Sequence, residues 1–306
     1  MPGTRWRSKL LMAIQMTSGL DLLPPAPPLV EHGVTVFSGD SDNPSGLHNQ
    51  DLLAAETPVA LVFNGIAHAV MMATPQDLDA FALGFALSEG IVLNADEVRG
   101  IDVVLADLAQ AGLPPGMAAF EVHVEVSTRS FEQLKSRKRA MAGRTGCGVC
   151  GVESLGALDL LGAAVAPNNW TPQVDAAVVL HAFSQLAKRQ PLNAKSGSLH
   201  AAGWSTLDGD LLYVFEDVGR HNALDKLIGT LAKADALAMP GFVILSSRAS
   251  HELVRKCARV GIAALATISA PTSMGVRMAE LSGVRLWGLC RAPRAVLYAP
   301  GSQAAL

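Results

Sequence analysis

FVILSSRASHELVRKCARVGIAALATIS, residues 242–269, changes its hydrophobic period twice in under thirty positions. Phe242 to Leu245 is a continuous apolar run of strand length, Val254, Cys257 and Ala258 fall at helical spacing, and Ile262 to Ile268 is apolar again. A strand, a helix and a second strand in that order make a crossover unit, which places the two strands parallel in one sheet. The same reading extends in both directions. Upstream, Leu211 to Phe215 predicts a strand, and Leu224, Leu227, Ile228 and Leu231 keep the i, i+3, i+4, i+7 pattern of a helix. Downstream, Ser273 to Leu281 predicts a short helix and Val284 to Leu289 a strand. From about residue 204 the chain therefore reads as a largely parallel α/β sheet covered by helices.

The first half has a different grammar. Val59 to Phe63 predicts a strand, Asn64-Gly65 a tight hairpin turn and Ile66 to Met72 the returning strand. Thr74-Pro75 suits a helix N-cap followed by proline, and Leu78, Phe81, Ala82, Phe85 and Leu87 predict one amphipathic helix ending near Glu89-Gly90. Phe120 to Val126 alternates as a half-buried strand, and Arg129 to Arg144 after it is dense in positive charge. Residues 19–50, with Pro24-Pro25 and Pro27-Pro28, have the turn-rich composition of a tail or linker. The expected organisation is a flexible N-terminal tail over 1–50, a small α+β domain over 51–140 and an α/β domain over 141–306. That last domain is entered through a loop at 143–151. No internal repeat of fixed period is found.

With 306 residues, 50% of them hydrophobic and 17% charged, the chain is long enough for a substantial core, which excludes disorder across the whole molecule. A net charge of -3 and a pI near 6.2 supply no global field for nucleic acid or a membrane surface, so anion binding has to be local. Four cysteines are too few for a disulfide scaffold and point to a reducing compartment. Arg5, Arg7 and Lys9 before Leu10 to Ile14 imitate a secretory signal, but the apolar run breaks at Gln15. A cytoplasmic location is expected. No stretch approaches the roughly 18 apolar residues needed to span a bilayer.

The sharpest chemical feature is Gly143-Arg144-Thr145-Gly146-Cys147-Gly148-Val149-Cys150-Gly151. Two thiols three positions apart among glycines can reach one acceptor, and Lys135, Arg137, Lys138, Arg139 and Arg144 just upstream favour thiolate over thiol. Nucleophilic sulfur is the physical implication. A zinc site needs two further ligands, and Cys257 and Cys290 stand alone in helix and strand patterns. A thioredoxin-like reading expects the pair at a helix start after an early strand.

A second constellation lies in the turns after predicted strands: Glu216 to Asn222, Ser246 to Ser250, Ser269 to Ser273, and Cys290 to Arg294. In an open parallel sheet such turns converge beyond the carboxyl ends of the strands. Hydroxyls and free amides at helix N-termini, with Arg220, Arg248, Arg291 and Arg294, are what phosphate recognition requires. The simpler alternatives are that Ser246, Ser250, Thr272 and Ser273 cap helices and that the arginines form surface ion pairs. Asp217 and His221 form either an acid/base pair or a turn held by its own side chains. His251 reads as a polar helix position, and His200 either faces the same cleft or is a buried, hydrogen-bonded histidine.

The segments Gly143 to Gly151, Glu216 to His221 and Ser246 to Ser250, together with Phe81-Ala82-Leu83-Gly84-Phe85 and Ser88-Glu89-Gly90-Ile91, resemble the formate dehydrogenase accessory sulfurtransferases, the FdhD family, from about Glu56 to Pro300. The resemblance implies a C-terminal three-layer α/β/α domain like that of cytidine deaminases, a smaller N-terminal α+β domain, and a cytoplasmic homodimer. The deaminase zinc signature itself is absent. It further implies a sulfurtransferase that accepts sulfur from a cysteine desulfurase as a persulfide. The sulfur is passed to the molybdenum (or tungsten) bis(molybdopterin guanine dinucleotide) cofactor for formate dehydrogenase, the cofactor being bound as substrate with no metal held by the protein itself. Nucleic acid and membrane are not expected partners.

By motif, Cys147 is similar to the persulfide carrier and Cys150 to an assisting thiol. Leu289, Cys290, Arg291, Ala292, Pro293 and Arg294 correspond to a cofactor-binding segment. Arg220, His221, Ser247 and Arg248 join it from the crevice. Two departures stand out: Cys290-Arg291-Ala292-Pro293-Arg294 replaces a lysine-proline-glycine-arginine pattern, and Gly197-Ser198-Leu199-His200 replaces a threonine-glycine start. The competing function classes are a non-enzymatic cofactor chaperone and a thiol-disulfide oxidoreductase.

Overall fold

Asn64 and Gly65 both take positive φ, 44° and 78°, the backbone twist that a tight turn needs to match two right-handed strands. The Asn64 side chain then spans to Val126, accepting from its N–H at 2.7 Å and donating to its C=O at 3.1 Å. The computed structural model describes residues 26–37, 46–107, 117–140 and 163–302. Strands β1 (Leu29–Val36) and β2 (Leu47–Ala54) pair antiparallel as a separate ribbon. The hairpin joins β3 (Thr57–Phe63) to β4 (Ile66–Ala73), and with β5 (Val98–Leu105) and β6 (Phe120–Val126) they form a four-stranded sheet in the order β4-β3-β6-β5. Two helices belong to this half, α1 (Leu78–Ser88) and α2 (Thr128–Ala140).

The second half carries helices α3 (Ala176–Leu186), α4 (Asn193–Ser196), α5 (Arg220–Lys233), α6 (His251–Arg259) and α7 (Ser273–Ser282). Its strands are β7 (His200–Ser205), β8 (Leu211–Asp217), β9 (Phe242–Leu245), β10 (Ala264–Thr267), β11 (Arg285–Arg291) and β12 (Arg294–Pro300), ordered β12-β11-β10-β9-β7-β8. Alternate residues feed two cores. Val243, Leu245 and Leu265 join Leu224, Leu227, Leu253 and Met278 of α5, α6 and α7 on one face. Phe242, Ile244, Ala264 and Ala266 join Val179, Ala182 and Leu186 of α3 on the other. The result is a mixed α/β fold with helices on both faces of the large sheet. The first core is continuous with the small sheet through Val59, Leu61, Phe63, Val122 and Val124.

Four expectations need correction. The sheet is mixed rather than largely parallel: β9, β10 and β11 are parallel neighbours, but β7 runs against both β8 and β9, and β12 against β11. The small residues of β7, His-Ala-Ala-Gly-Trp-Ser, carry little β propensity and gave no strand signal. The stretch 19–50 holds most of the β1–β2 ribbon where a tail or linker was expected, because pairing between strands is a non-local interaction that polar composition hides. Helix α1 is not amphipathic, since ten of its eleven residues are buried. It lies between the small sheet and α5, so both of its faces are covered. Finally, Thr74 does not cap α1, whose N-cap position is Asp77 at φ 51° without a side-chain cap.

Thr74 has a different task. Its N–H donates to Asp217 Oδ2 at 3.0 Å, its hydroxyl accepts from the Val218 N–H at 3.2 Å, and its carbonyl accepts from Lys226 Nζ at 3.0 Å. It therefore joins the end of the first hairpin to the turn that begins α5. Among the described residues no helix is long and apolar enough to cross a membrane. The described residues stop at the expected boundary, residues 140/141, and the 143–151 loop lies outside them.

Candidate functional site at the carboxyl edge of the large sheet

Because β7 and β12 run opposite to their neighbours, one edge of the large sheet collects the carboxyl ends of β8, β9, β10 and β11 and the starts of β7 and β12. Lateral hydrogen bonds tie the turns there into one continuous rim. His200 pairs with Asp217 across β7 and β8. The next residue, Ala201, donates to Ser246 Oγ at 2.8 Å and accepts from the Ser246 N–H at 3.0 Å. Ala249 accepts from the Thr272 N–H at 3.0 Å, and Ser269 accepts from the Leu289 N–H at 3.2 Å. All four predicted turns therefore meet, as the parallel portion of the sheet requires.

Within the rim the predicted residues divide by role. Asp217 is fully buried and ion-paired with Lys226 at 2.7 Å. It also accepts from the N–H of Gly219 at 2.8 Å and from Asn222 Nδ2 at 2.9 Å. All its lone pairs are used, so it holds its turn and does not form an acid/base pair with His221. The partner of His221 is Glu252, at 3.0 Å from Nε2 to Oε2. Glu252 sits in the first turn of α6, and its carboxyl lies below the usual range, first because it accepts that hydrogen bond and despite burial. The His200 imidazole, half-buried, is pushed below its ordinary range by burial and then by Arg220 and His221.

The hydroxyls also separate. Thr272 caps α7, accepting from the Gly275 N–H at 3.1 Å, as expected of a residue preceding a helix. Ser250 occupies the N-cap position of α6 but makes no capping bond, and its buried Oγ has no hydrogen-bond partner among the described residues. Ser246 closes β7 onto β9 rather than capping. Ser247 is buried and donates to the carbonyl of Arg248, whose own side chain is exposed. The N-cap of α5 is Gly219, which supplies no side chain, so the first amides of α5 and α6 are both left without a side-chain cap.

The last segment is split by its own backbone. Leu289 takes φ 54° and the ladder with β12 is irregular between Gly288 and Arg291. Arg291, Ala292, Pro293 and Arg294 are exposed at the rim, whereas the Cys290 side chain is fully buried in the second core. Burial pushes its thiol up to about 12. Of this expected binding segment, Cys290 can offer a ligand only its backbone. Cys257 is likewise buried, with its thiol pushed up to about 12 by burial. Arg220, Arg248, Arg291 and Arg294 form no ion pair among the described residues. Cys147 and Cys150 lie outside the described residues. Among the described residues no group of three or more histidine, cysteine or acidic side chains could hold a metal.

The sequence profile of the FdhD/NarQ family matches residues 54–304, which contain the whole span of the motif resemblance. The chain belongs to the FdhD/NarQ family. It is 52% identical over 241 residues to the sulfur carrier protein FdhD of Burkholderia cenocepacia, covering 79% of this chain and 84% of that one. It is 51% identical over 248 residues to the protein of the same name from Chromobacterium violaceum, covering 81% and 88%. In fold it resembles the crystal structure of a formate dehydrogenase accessory protein from Desulfotalea psychrophila, with TM-score 0.62, 21% identity and coverage of 89% and 97%.

Glu252 and Lys226 were not found from the sequence as site or support residues. In the sequence Glu252 carries no reading of its own. The available signal was an acidic residue in the first turn of a helix that follows an arginine-bearing turn. Lys226 had a weaker one, a charge between the apolar positions Leu224 and Leu227.

Proposed function

We propose that this protein is a sulfur carrier of the FdhD type, associated with formate dehydrogenase. In this reading Cys147 accepts a sulfur atom from a cysteine desulfurase persulfide and passes it to the molybdenum bis(molybdopterin guanine dinucleotide) cofactor, bound as substrate. The Cys147 thiolate attacks the outer sulfur of the donor persulfide; one S–S bond forms, the donor's S–S bond breaks, and the donor cysteine leaves as thiolate. Cys150 assists, and the basic run before the loop favours the thiolate form of both.

The observation that carries the cofactor half of this reading is the rim: four arginines without an ion pair among the described residues, beside two helix N-termini without side-chain caps. Such a rim suits the pyrophosphate of a guanine dinucleotide, because guanidinium forks and free amides both complement phosphate oxygens. The sulfur half is supported by the names of relatives about 50% identical and by elimination among the cysteines. Cys257 and Cys290 are too deeply buried and too weakly acidic to act as nucleophiles.

The test is mass spectrometry after incubation with a cysteine desulfurase and cysteine. A gain of about 32 Da, one sulfur, is expected on the peptide carrying Cys147 and is lost in Cys147→Ala. If Cys150→Ala abolishes the adduct and Cys147→Ala does not, the two roles are reversed. No adduct at either cysteine would favour a chaperone that binds cofactor without moving sulfur.

A further inference from the structure

His221 and Glu252 are second residues of neighbouring helices, α5 and α6, and both side chains stay partly accessible, at 26% and 15%. Glu252 is the carboxylate facing a cluster of groups drawn from several elements. These are Arg220 and His221 on α5 and His251 beside it on α6, and His200 at the start of β7 in turn faces Arg220 and His221. The other carboxylate near this cluster, Asp217 at the end of β8, is committed to Lys226 and its own turn. Glu252 is ionised at neutral pH, since its carboxyl is held below the usual range chiefly by the hydrogen bond from His221. An ionised carboxylate only accepts hydrogen bonds, so His221 Nε2 must carry a proton. When the ring is neutral its single proton is therefore on Nε2, and Nδ1 is the ring nitrogen left over, with no hydrogen bond among the described residues.

We propose that Glu252 is a positioning residue: by fixing His221 as the Nε2–H tautomer it reserves Nδ1 to take up a proton when a phosphate-bearing ligand reaches the rim. This rests on the anion-binding reading of the rim given above. Arrival of a phosphate oxygen places negative charge beside the imidazole, a proton moves from solvent buffer to Nδ1, and the imidazolium then donates to the phosphate while Glu252 balances its charge. Binding and protonation are coupled in consequence. Affinity falls as pH rises, because the proton becomes harder to recruit.

The probe is guanosine diphosphate, the guanine and pyrophosphate portion of the proposed cargo, titrated calorimetrically in two buffers of different ionisation enthalpy across neutral pH. Wild-type protein should take up a fraction of a proton on binding and bind more weakly at higher pH. Glu252→Gln keeps an acceptor but removes the charge, and should reduce proton uptake and weaken binding about tenfold, the worth of one charge-assisted hydrogen bond. In a His221→Ala background the same Glu252→Gln change should have no further effect. A purely structural glutamate would cost affinity in both backgrounds, and that result overturns the proposal. Nitrogen NMR of the free protein adds a readout independent of ligand: His221 should be the Nε2–H tautomer in the wild type and a mixture in Glu252→Ala. A wild-type ring protonated on Nδ1 instead also overturns it. Binding with no proton uptake defeats this inference while leaving the rim as an anion site. No binding at all, at any pH, defeats both.

Discussion

Glu89, immediately after α1, is the clearest place to test the electrostatics that join the two halves of the chain. Its carboxylate lies 2.8 Å from Lys256 and 3.1 Å from Arg255, both on α6. Burial pushes its carboxyl up, but Lys256 and then Arg255 outweigh burial and bring it from 4.5 to about 2. With 27% of the side chain exposed, solvent screening removes little of this. A depression of that size is worth about 3 kcal/mol of folding stability at neutral pH. The sign follows from a lowered carboxylate: the contribution is complete above about pH 4.5 and is lost as pH falls toward about 2, at up to about 1.4 kcal/mol per pH unit.

Glu89→Gln removes the charge without stranding Lys256, which still pairs with Asp225 at 2.8 Å. Urea unfolding should therefore place the variant about 3 kcal/mol below wild type near pH 7, and only about 1.4 kcal/mol below it near pH 3. Equal stability near neutral pH, or a gap that does not narrow on acidification, would refute the ion-pair account.

Gly84→Ala should be more damaging than its size suggests. A Cβ there would stand 1.8 Å from the Asp225 carbonyl oxygen, and one at Gly229 1.9 Å from that of Ala80, so α1 and α5 would have to move apart. A loss of at least about 3 kcal/mol is expected in denaturant unfolding, and a change under about 0.5 kcal/mol would show the helices can yield. Brief alkylation of native protein near pH 7 should modify Cys147 and Cys150 well before Cys257 and Cys290, whose buried thiols are pushed up to about 12. Labelling of Cys257 at a comparable rate, read by peptide mass, would contradict its burial.

The hairpin at Asn64-Gly65 and the β9–α6–β10–α7–β11 succession were legible in the sequence because both are written in local terms, a turn that demands positive φ and a hydrophobic period that switches between two and 3.6. The rim was legible for a related reason. Parallel strands put their carboxyl ends on one side, so motifs that follow strands must gather there. Arg291 and Arg294 reach the rim, while Cys290, just before them, turns into the core, since the irregular ladder after Gly288 decides which side chains face inward. Such an irregularity leaves no compositional trace.

Motif resemblance thus pointed to the family, while composition, periodicity and turn chemistry gave the two kinds of architecture and the edge where charge collects. They could not settle the two-sided burial of α1, the antiparallel insertion of β7, the commitment of Asp217 to Lys226, or the pairing of His221 with Glu252. Each of those joins residues far apart along the chain. Their energies exist only once the helices and sheets have packed and water has been excluded between them, so tertiary structure alone decides them.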